Sequence, residues 1–246
     1  MKISKLVELK TADAIGIMTI CNPPQNRIEE PEFIELETLK KWTGANSLKG
    51  LIIVGKGRHF SAGANTKKIK EKVTQDQMVV EDLKKGRKIL DHIERLPIPT
   101  VASISGICFG AGLEIALACH IRVCSENSLL AFPESNLGLL PGLSGTFRLS
   151  RQIGMGKSME LILSGKTITA CEALKMNIVD YIAPKKEGLR FAIDLLNKIT
   201  ANKPLHVIHA ITKALNNSKF LRPDDAMEEE SKLFCQLALK VAQENR

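Results

Sequence analysis

Two glutamates stand where glutamate is seldom found. Glu114 sits inside Gly110-Ala111-Gly112-Leu113-Glu114-Ile115-Ala116-Leu117-Ala118-Cys119, and Glu134 follows Phe132-Pro133 ahead of Ser135-Asn136-Leu137-Gly138. A carboxyl group in apolar company is rarely buried unless it is paired or employed. Burial raises its pKa, and a second carboxyl group nearby raises it further. One member of such a pair can donate a proton near neutral pH while the other, ionised, accepts one or orients a water. For either glutamate alone a satisfied structural hydrogen bond is the plainer account. The pair, set beside two breaks in the backbone pattern, favours chemistry.

Those breaks are Ala62-Gly63-Ala64 and Gly110-Ala111-Gly112. Each follows a strand-like apolar run and leads towards a helix. Small residues let a ligand approach the main chain closely, and unpaired N–H groups there favour negative charge. Two such donors aimed at one oxygen make an oxyanion hole. Tight strand–helix packing would ask for the same small residues, so neither loop is specific by itself. Other apparent motifs fail on their frames. Gly154-Met155-Gly156-Lys157-Ser158 would need a glycine where Arg151 stands, and Ser144 lacks the second glycine of a nucleophile elbow because Thr146 occupies it. His120 and His206 lie in apolar segments and read as fillers. The six cysteines lack paired Cys-x-x-Cys spacing, so they read as reduced thiols with no metal among them.

The elements that must position these residues alternate. Residues 14–20, 51–54, 100–104, 121–124, 129–132 and 178–182 read as strands. Helices are expected over 31–42, 76–95, 113–119, 144–153 and 155–163, with Val79, Leu83, Leu90 and Ile93 as the stripe of the second. Residues 106–112 read as loop. Thr169 and Glu172 form a capping box that opens another helix. Beyond Lys185 only helices are expected, over 187–201, 204–217 and 225–242, the last capped by Asp225 with Glu228. The chain therefore divides into 1–185, carrying the site, and a helical region 186–246.

Composition narrows the class. With 246 residues, 44% hydrophobic and 25% charged, the chain has core enough for a globular α/β protein. No apolar run reaches the roughly 18 residues of a membrane span, and Met1–Lys5 do not open a signal peptide. A cytoplasmic protein is the expectation. The net charge of +8 favours an anionic partner. Nucleic acid is the weaker choice, because aromatic residues are only 4% and stacking platforms are scarce.

Taken together, His59-Phe60-Ser61-Ala62-Gly63-Ala64-Asn65, Ile104 to Cys119 and Phe132 to Gly142 resemble the enoyl-CoA hydratase/isomerase (crotonase) superfamily, and Thr169 to Pro184 matches its capped helix and strand. The similarity runs through nearly the whole chain. It implies a ββα spiral core followed by a helical trimerisation region, with trimers often paired into hexamers. It implies an acyl thioester ligand, usually of coenzyme A, whose carbonyl oxygen lies between the N–H groups of Ala64 and Ala111. By position, Glu114 and Glu134 correspond to the two catalytic glutamates of hydratases. Ala62, Gly63, Asn65, Lys67, Gly110, Pro141 and Gly142 fall where the family binds substrate and coenzyme A, Lys67 at the adenine and phosphate end. The resemblance implies no cofactor beyond coenzyme A as part of the substrate, and no metal.

The implied activity is an enoyl-thioester hydratase, a hydro-lyase. The rival readings are a polyketide-type dehydratase acting on carrier-protein thioesters, an enoyl-CoA isomerase, and a non-catalytic binding protein on the same fold. The chain departs from the family pattern at several points. Asn65 replaces a common aspartate, Ala111 a usual glycine and His120 an aspartate. Asn22 to Ile28 is an unusual first loop, and the family's last helix and basic tail are expected to be missing before Arg246.

Overall fold

The structure, a computed structural model, describes residues 6–45, 47–74 and 79–244. Met1–Lys5 and positions 76–78 of the expected long helix lie outside the described residues. The chain order is β1 (Val7–Ala12), β2 (Ile15–Ile20), α1 (Leu36–Ala45), β3 (Gly50–Gly55), α2 (Thr66–Thr74), α3 (Val79–Glu94), β4 (Thr100–Ile104), β5 (Ile107–Phe109), α4 (Ala111–Leu117), β6 (Ile121–Ser125) and β7 (Leu129–Ala131). A 3-10 turn, Pro133–Leu137, follows, then α5 (Gly145–Ile153), α6 (Met155–Ser164), β8 (Ile168–Thr169), α7 (Ala170–Lys175), β9 (Tyr181–Ala183), α8 (Gly188–Thr200), α9 (Leu205–Phe220) and α10 (Pro223–Glu244).

Among the described residues the strands form a six-stranded sheet, β1-β2-β3-β4-β6-β9, and a three-stranded sheet, β5-β7-β8. Only the β1–β2 pair is antiparallel in the larger sheet; from β2 to β9 the neighbours are parallel. Parallel strands covered on both faces read as continuous apolar runs, which is why Leu51-Ile52-Ile53 and Thr100–Ile104 are buried throughout. Their side chains still alternate. Leu51, Ile53, Ala102 and Ile104 face the main core, while Ile52, Val101 and Val123 face Ala192 and Leu196 of α8. A Cβ on Gly50 would fall 2.8 Å from Leu196 Cδ1, so α8 lies directly on the sheet.

Several expectations need correcting. Residues 106–112 are not all loop, because Ile107–Phe109 pairs in parallel with Leu129–Ala131 as β5. The helix expected from residue 31 begins at Leu36; Phe33 and Ile34 are buried from an irregular segment instead. The last helix begins at Pro223, so Asp225 lies inside it and pairs with Arg222 rather than capping. The capping box at Thr169 is complete: its hydroxyl accepts the Glu172 N–H, and the Glu172 carboxylate accepts the Thr169 N–H.

His120 is more than a filler. Its Nδ1 accepts the Thr100 N–H at 3.0 Å, so the proton resides on Nε2, which faces Glu94 O and Asn216 Oδ1. Asn216 in turn donates to Leu96 O. This bonded cluster fastens α9 to the end of α3 and the start of β4. No helix among the described residues is long and apolar enough to cross a membrane.

Candidate active site

The first of the two small-residue loops is built by its neighbours. Asn26, buried at a φ of 50°, donates its side-chain amide to Lys56 O and His59 O. The Ser61 hydroxyl donates to Asn26 O and accepts the Gly63 N–H. Ile28 then makes a parallel bridge to Ala64: its N–H donates to Gly63 O and its carbonyl accepts the Asn65 N–H, both at 2.9 Å. In a parallel pairing of this kind the bracketed residue turns its own N–H and C=O to the opposite side. The Ala64 N–H has no acceptor among the described residues.

The second loop supplies the other donor. Gly110, with φ 49° and ψ −121°, is the N-cap of α4, and Ala111 is the first helical residue. Its N–H belongs to the first turn, which has no intrahelical acceptor. The loops abut: a Cβ on Gly63 would lie 2.7 Å from Phe109 O and 3.5 Å from Ala111 N. Gly63 has a φ of 86°, so a glycine is required there twice over, by conformation and by space.

Glu114 is one turn along α4 and buried. Its Oε1 accepts the Leu143 N–H at 2.7 Å and the Gly145 N–H at 2.6 Å. Between those donors Ser144 sits in the left-handed region, with a φ of 74°, which points both neighbouring N–H groups at one oxygen. A Cβ on Gly145 would fall 2.9 Å from Glu114 Cγ. Burial, with Glu134 nearby, raises the Glu114 carboxyl, and the Gly145 and Leu143 N–H groups and Arg148 pull it part of the way back, leaving it at about 7. Glu134 is presented by the 3-10 turn, and burial also raises its pKa. Its Oε2 is buried with no protein partner among the described residues.

Arg148 of α5 braces the Glu114 side. It is buried and donates to Leu143 O at 2.9 Å, to Glu94 Oε2 at 2.9 Å and to Asp91 Oδ1 at 2.7 Å. Lys219 of α9 closes on the other Glu94 oxygen. A run of ion pairs therefore ties α9 and α3 to the turn that holds Glu114.

One cleft of about 530 Å³ gathers these groups. Glu114, Glu134, Ala64 and Ala111 line it, together with Ala62, Gly63, Asn65, Gly110 and Gly142. Lys67 and Pro141 do not. Lys67 is exposed on α2, and Pro141 is buried against Gly145. The lysines that face the cleft are Lys68 and Lys72, four residues apart on one side of α2. Apolar lining comes from Leu83, Leu139, Leu140 and Leu143. Glu29 and Glu30, which the sequence reading passed over, line it too; only their position ahead of Pro31 and after the odd first loop hinted at them. Two raised carboxyl groups and two unpaired N–H donors in one largely apolar cleft can stabilise an oxyanion and move a proton beside it.

The family model described as enoyl-CoA hydratase/isomerase matches residues 10–244. A probable enoyl-CoA hydratase of Bacillus subtilis is 33% identical over 230 residues, which cover 93% of this chain and 88% of that protein. The fatty acid oxidation complex subunit alpha of Shewanella frigidimarina is 38% identical over 219 residues, 85% of this chain but only 30% of that longer protein. Among solved structures, an enoyl-CoA hydratase of Geobacillus kaustophilus superimposes with a TM-score of 0.84 at 26% identity, covering 99% of this chain and 95% of the other.

Proposed function

The chain belongs to the enoyl-CoA hydratase/isomerase family, and on that premise we propose that it is a hydro-lyase, adding water across the double bond of a 2-enoyl thioester or removing water to form it. The observation that carries the reading is the pair Glu114 and Glu134, both raised in pKa by burial, on the same cleft as the Ala64 and Ala111 N–H groups. The thioester carbonyl oxygen takes the place between those two N–H groups. As water adds to Cβ, negative charge collects on that oxygen as an enolate, and fixed donors stabilise it without reorganising.

Glu114 acts in its ionised form: burial raises it to about 7, and the two N–H groups on Oε1 favour the charge that remains. Leu143 and Gly145 occupy its Oε1, which leaves Oε2 to orient the water and take its proton. Glu134 is the protonated partner and delivers its proton to Cα. In the reverse direction Glu134 abstracts the Cα proton and Glu114 protonates the departing hydroxyl. An isomerase needs only one carboxyl group to carry a proton between carbons, so keeping two on one cleft favours hydration. Coenzyme A enters as part of the substrate. A carrier-protein thioester is the second reading, supported by the ion-paired state of Lys68 and Lys72, which leaves Arg27 rather than a cluster of free cations at the cleft for phosphates.

The same premise extends to assembly as a trimer through the C-terminal helices. Leu215, Phe234 and Leu239 of α9 and α10 are 64–71% exposed in the single chain, an apolar surface that a subunit contact would cover. Loss of enoyl absorbance from crotonyl-CoA, followed with purified wild type, tests the activity; no loss with folded protein rejects hydration of a coenzyme A thioester. Light scattering of the same sample tests the trimer.

A further inference from the structure

One wall of the cleft carries charges that the proposed chemistry does not use. Lys68 Nζ lies 3.1 Å from Glu29 Oε2, and Lys72 Nζ lies 2.6 Å from both Glu30 Oε2 and Asp82 Oδ2. Glu29 is fixed further by Asn65, which donates to Oε2 at 3.0 Å, and by Asn22, which donates to Oε1 at 3.1 Å. Burial pushes the Glu29 carboxyl up, yet these hydrogen bonds outweigh it and hold the group below its ordinary value. Lys72 is held above its ordinary value by Asp82 and then Glu30. All five charged groups line the cleft that holds Glu114 and Glu134. Three carboxylates face two lysines, so this stretch of wall is not a cationic surface even though the chain carries a net charge of +8; Arg27, bonded to the neutral Gln25, is a separate cation on the cleft.

The wall also reaches the reactive centre. Asp82 precedes Leu83, whose Cδ2 would meet a Cβ on Gly142 at 3.1 Å, and Gly142 leads into the turn that clamps Glu114. A substrate group passing along this wall meets lysines already engaged. An anion that takes Lys72 must displace a carboxylate and leave it half-buried without a partner, which offsets the new pair.

We infer that Glu29, Glu30 and Asp82 are specificity-determining residues: by holding Lys68 and Lys72 they close this wall to an anionic oxygen group of the substrate. That group is either a phosphate of the thioester handle or a carboxylate on the acyl chain. The inference rests on the thioester reading above, and departs from it in assigning a selective role to residues that touch neither the double bond nor the thioester carbonyl.

Binding of unreactive saturated thioesters tests it without requiring turnover. Calorimetry gives Kd for butyryl-CoA against butyryl-pantetheine, which differ in the phosphates, and for glutaryl-CoA against butyryl-CoA, which differ in an acyl carboxylate. The wild type is compared with Glu30→Gln/Asp82→Asn, which frees Lys72, and with Glu29→Gln, which frees Lys68. The expected result is that one pair shifts towards its anionic member by about five-fold or more, the factor that goes with roughly 1 kcal/mol. Adding Lys72→Met to the double variant should abolish that shift. Preferences within about two-fold of wild type in both pairs, a shift that survives Lys72→Met, or no thioester binding by any of the proteins overturns the inference, the two-fold limit being the scatter expected of a surface pair. Hydration of crotonyl-CoA by wild type, assayed alongside, reports on the function reading separately.

Discussion

Gly110 stands against the carboxyl group of Glu134: a β-carbon on Gly110 would fall 2.4 Å from Glu134 Oε1. The same residue caps α4 at a positive φ and presents the Ala111 N–H to the cleft. One glycine thus sets both the oxyanion donor and the proton donor. Gly110→Ala should fold with a loss of about 1–3 kcal/mol from the strained φ. It should also lose roughly 100-fold in kcat, because the carboxyl group is displaced by about an ångström. Urea denaturation and steady-state kinetics check the two halves; unchanged kcat would show that Glu134 has room to spare.

Glu114→Gln should stabilise the fold at neutral and alkaline pH. The folded state raises this carboxyl from 4.5 to about 7, so the folded protein resists its ionisation. Below pH 4.5 the group is protonated in both states and the variant gains nothing. As pH rises from 4.5 to 7 the wild type loses stability that the glutamine variant keeps, and above 7 the gap levels off at on the order of 3 kcal/mol. Denaturation midpoints of both proteins from pH 4 to 8 check this; a gap that does not change with pH contradicts the assignment.

The rate of a thioester substrate should follow a bell in pH. At low pH both glutamates are protonated and no base remains, while at high pH both are ionised and no proton donor remains. The two limbs belong to the coupled pair rather than to either residue. In kcat/KM profiles the bell should flatten on the acid side in Glu114→Gln, where the group that must ionise is gone. A wild-type profile flat from pH 5 to 9 would contradict proton transfer by the pair.

Arg148→Met should cost about 1–3 kcal/mol of stability, the usual loss when buried acceptors are left without a donor. Glu94 keeps Lys219 on its other oxygen but loses the bond to Oε2, and Leu143 O loses its donor as well. Arg148→Lys keeps the charge but cannot fork to three acceptors, so it should recover most of the stability while kcat stays lowered, because the Leu143–Gly145 turn is less firmly held. Chemical denaturation of both variants checks the order; equal losses would show that the forked geometry, and not the charge, provides the stability.

Much of this was legible in sequence wherever the signal is local. Apolar runs marked β3, β4 and β6 because parallel strands are covered on both faces. Thr169 with Glu172 marked a helix start through reciprocal bonds three residues apart. Both glutamates and both glycine loops stand out for the same reason: their residue types are unusual for their surroundings. What escaped depends on distant partners. The strand Ile107–Phe109 is only three residues between Gly106 and Gly110, and exists because Leu129–Ala131 lies beside it. The sequence points to Lys67, whereas Lys68 and Lys72 line the cleft, since the phase of α2 is set by packing rather than by a clear apolar stripe. Glu29 and Glu30 looked like any acidic pair before a proline, and acquire meaning only from lysines about forty residues away. Pro141 shares a tight turn with cleft residues yet is buried against Gly145.

The most direct measurement of the central claim is the loss of enoyl absorbance with crotonyl-CoA for wild type, Glu114→Gln and Glu134→Gln side by side. Rapid loss with wild type and falls of roughly 100-fold or more in both variants are the predicted result, the size expected when one member of an acid–base pair is removed. Wild-type hydration that survives Glu134→Gln at full rate would contradict the two-glutamate account.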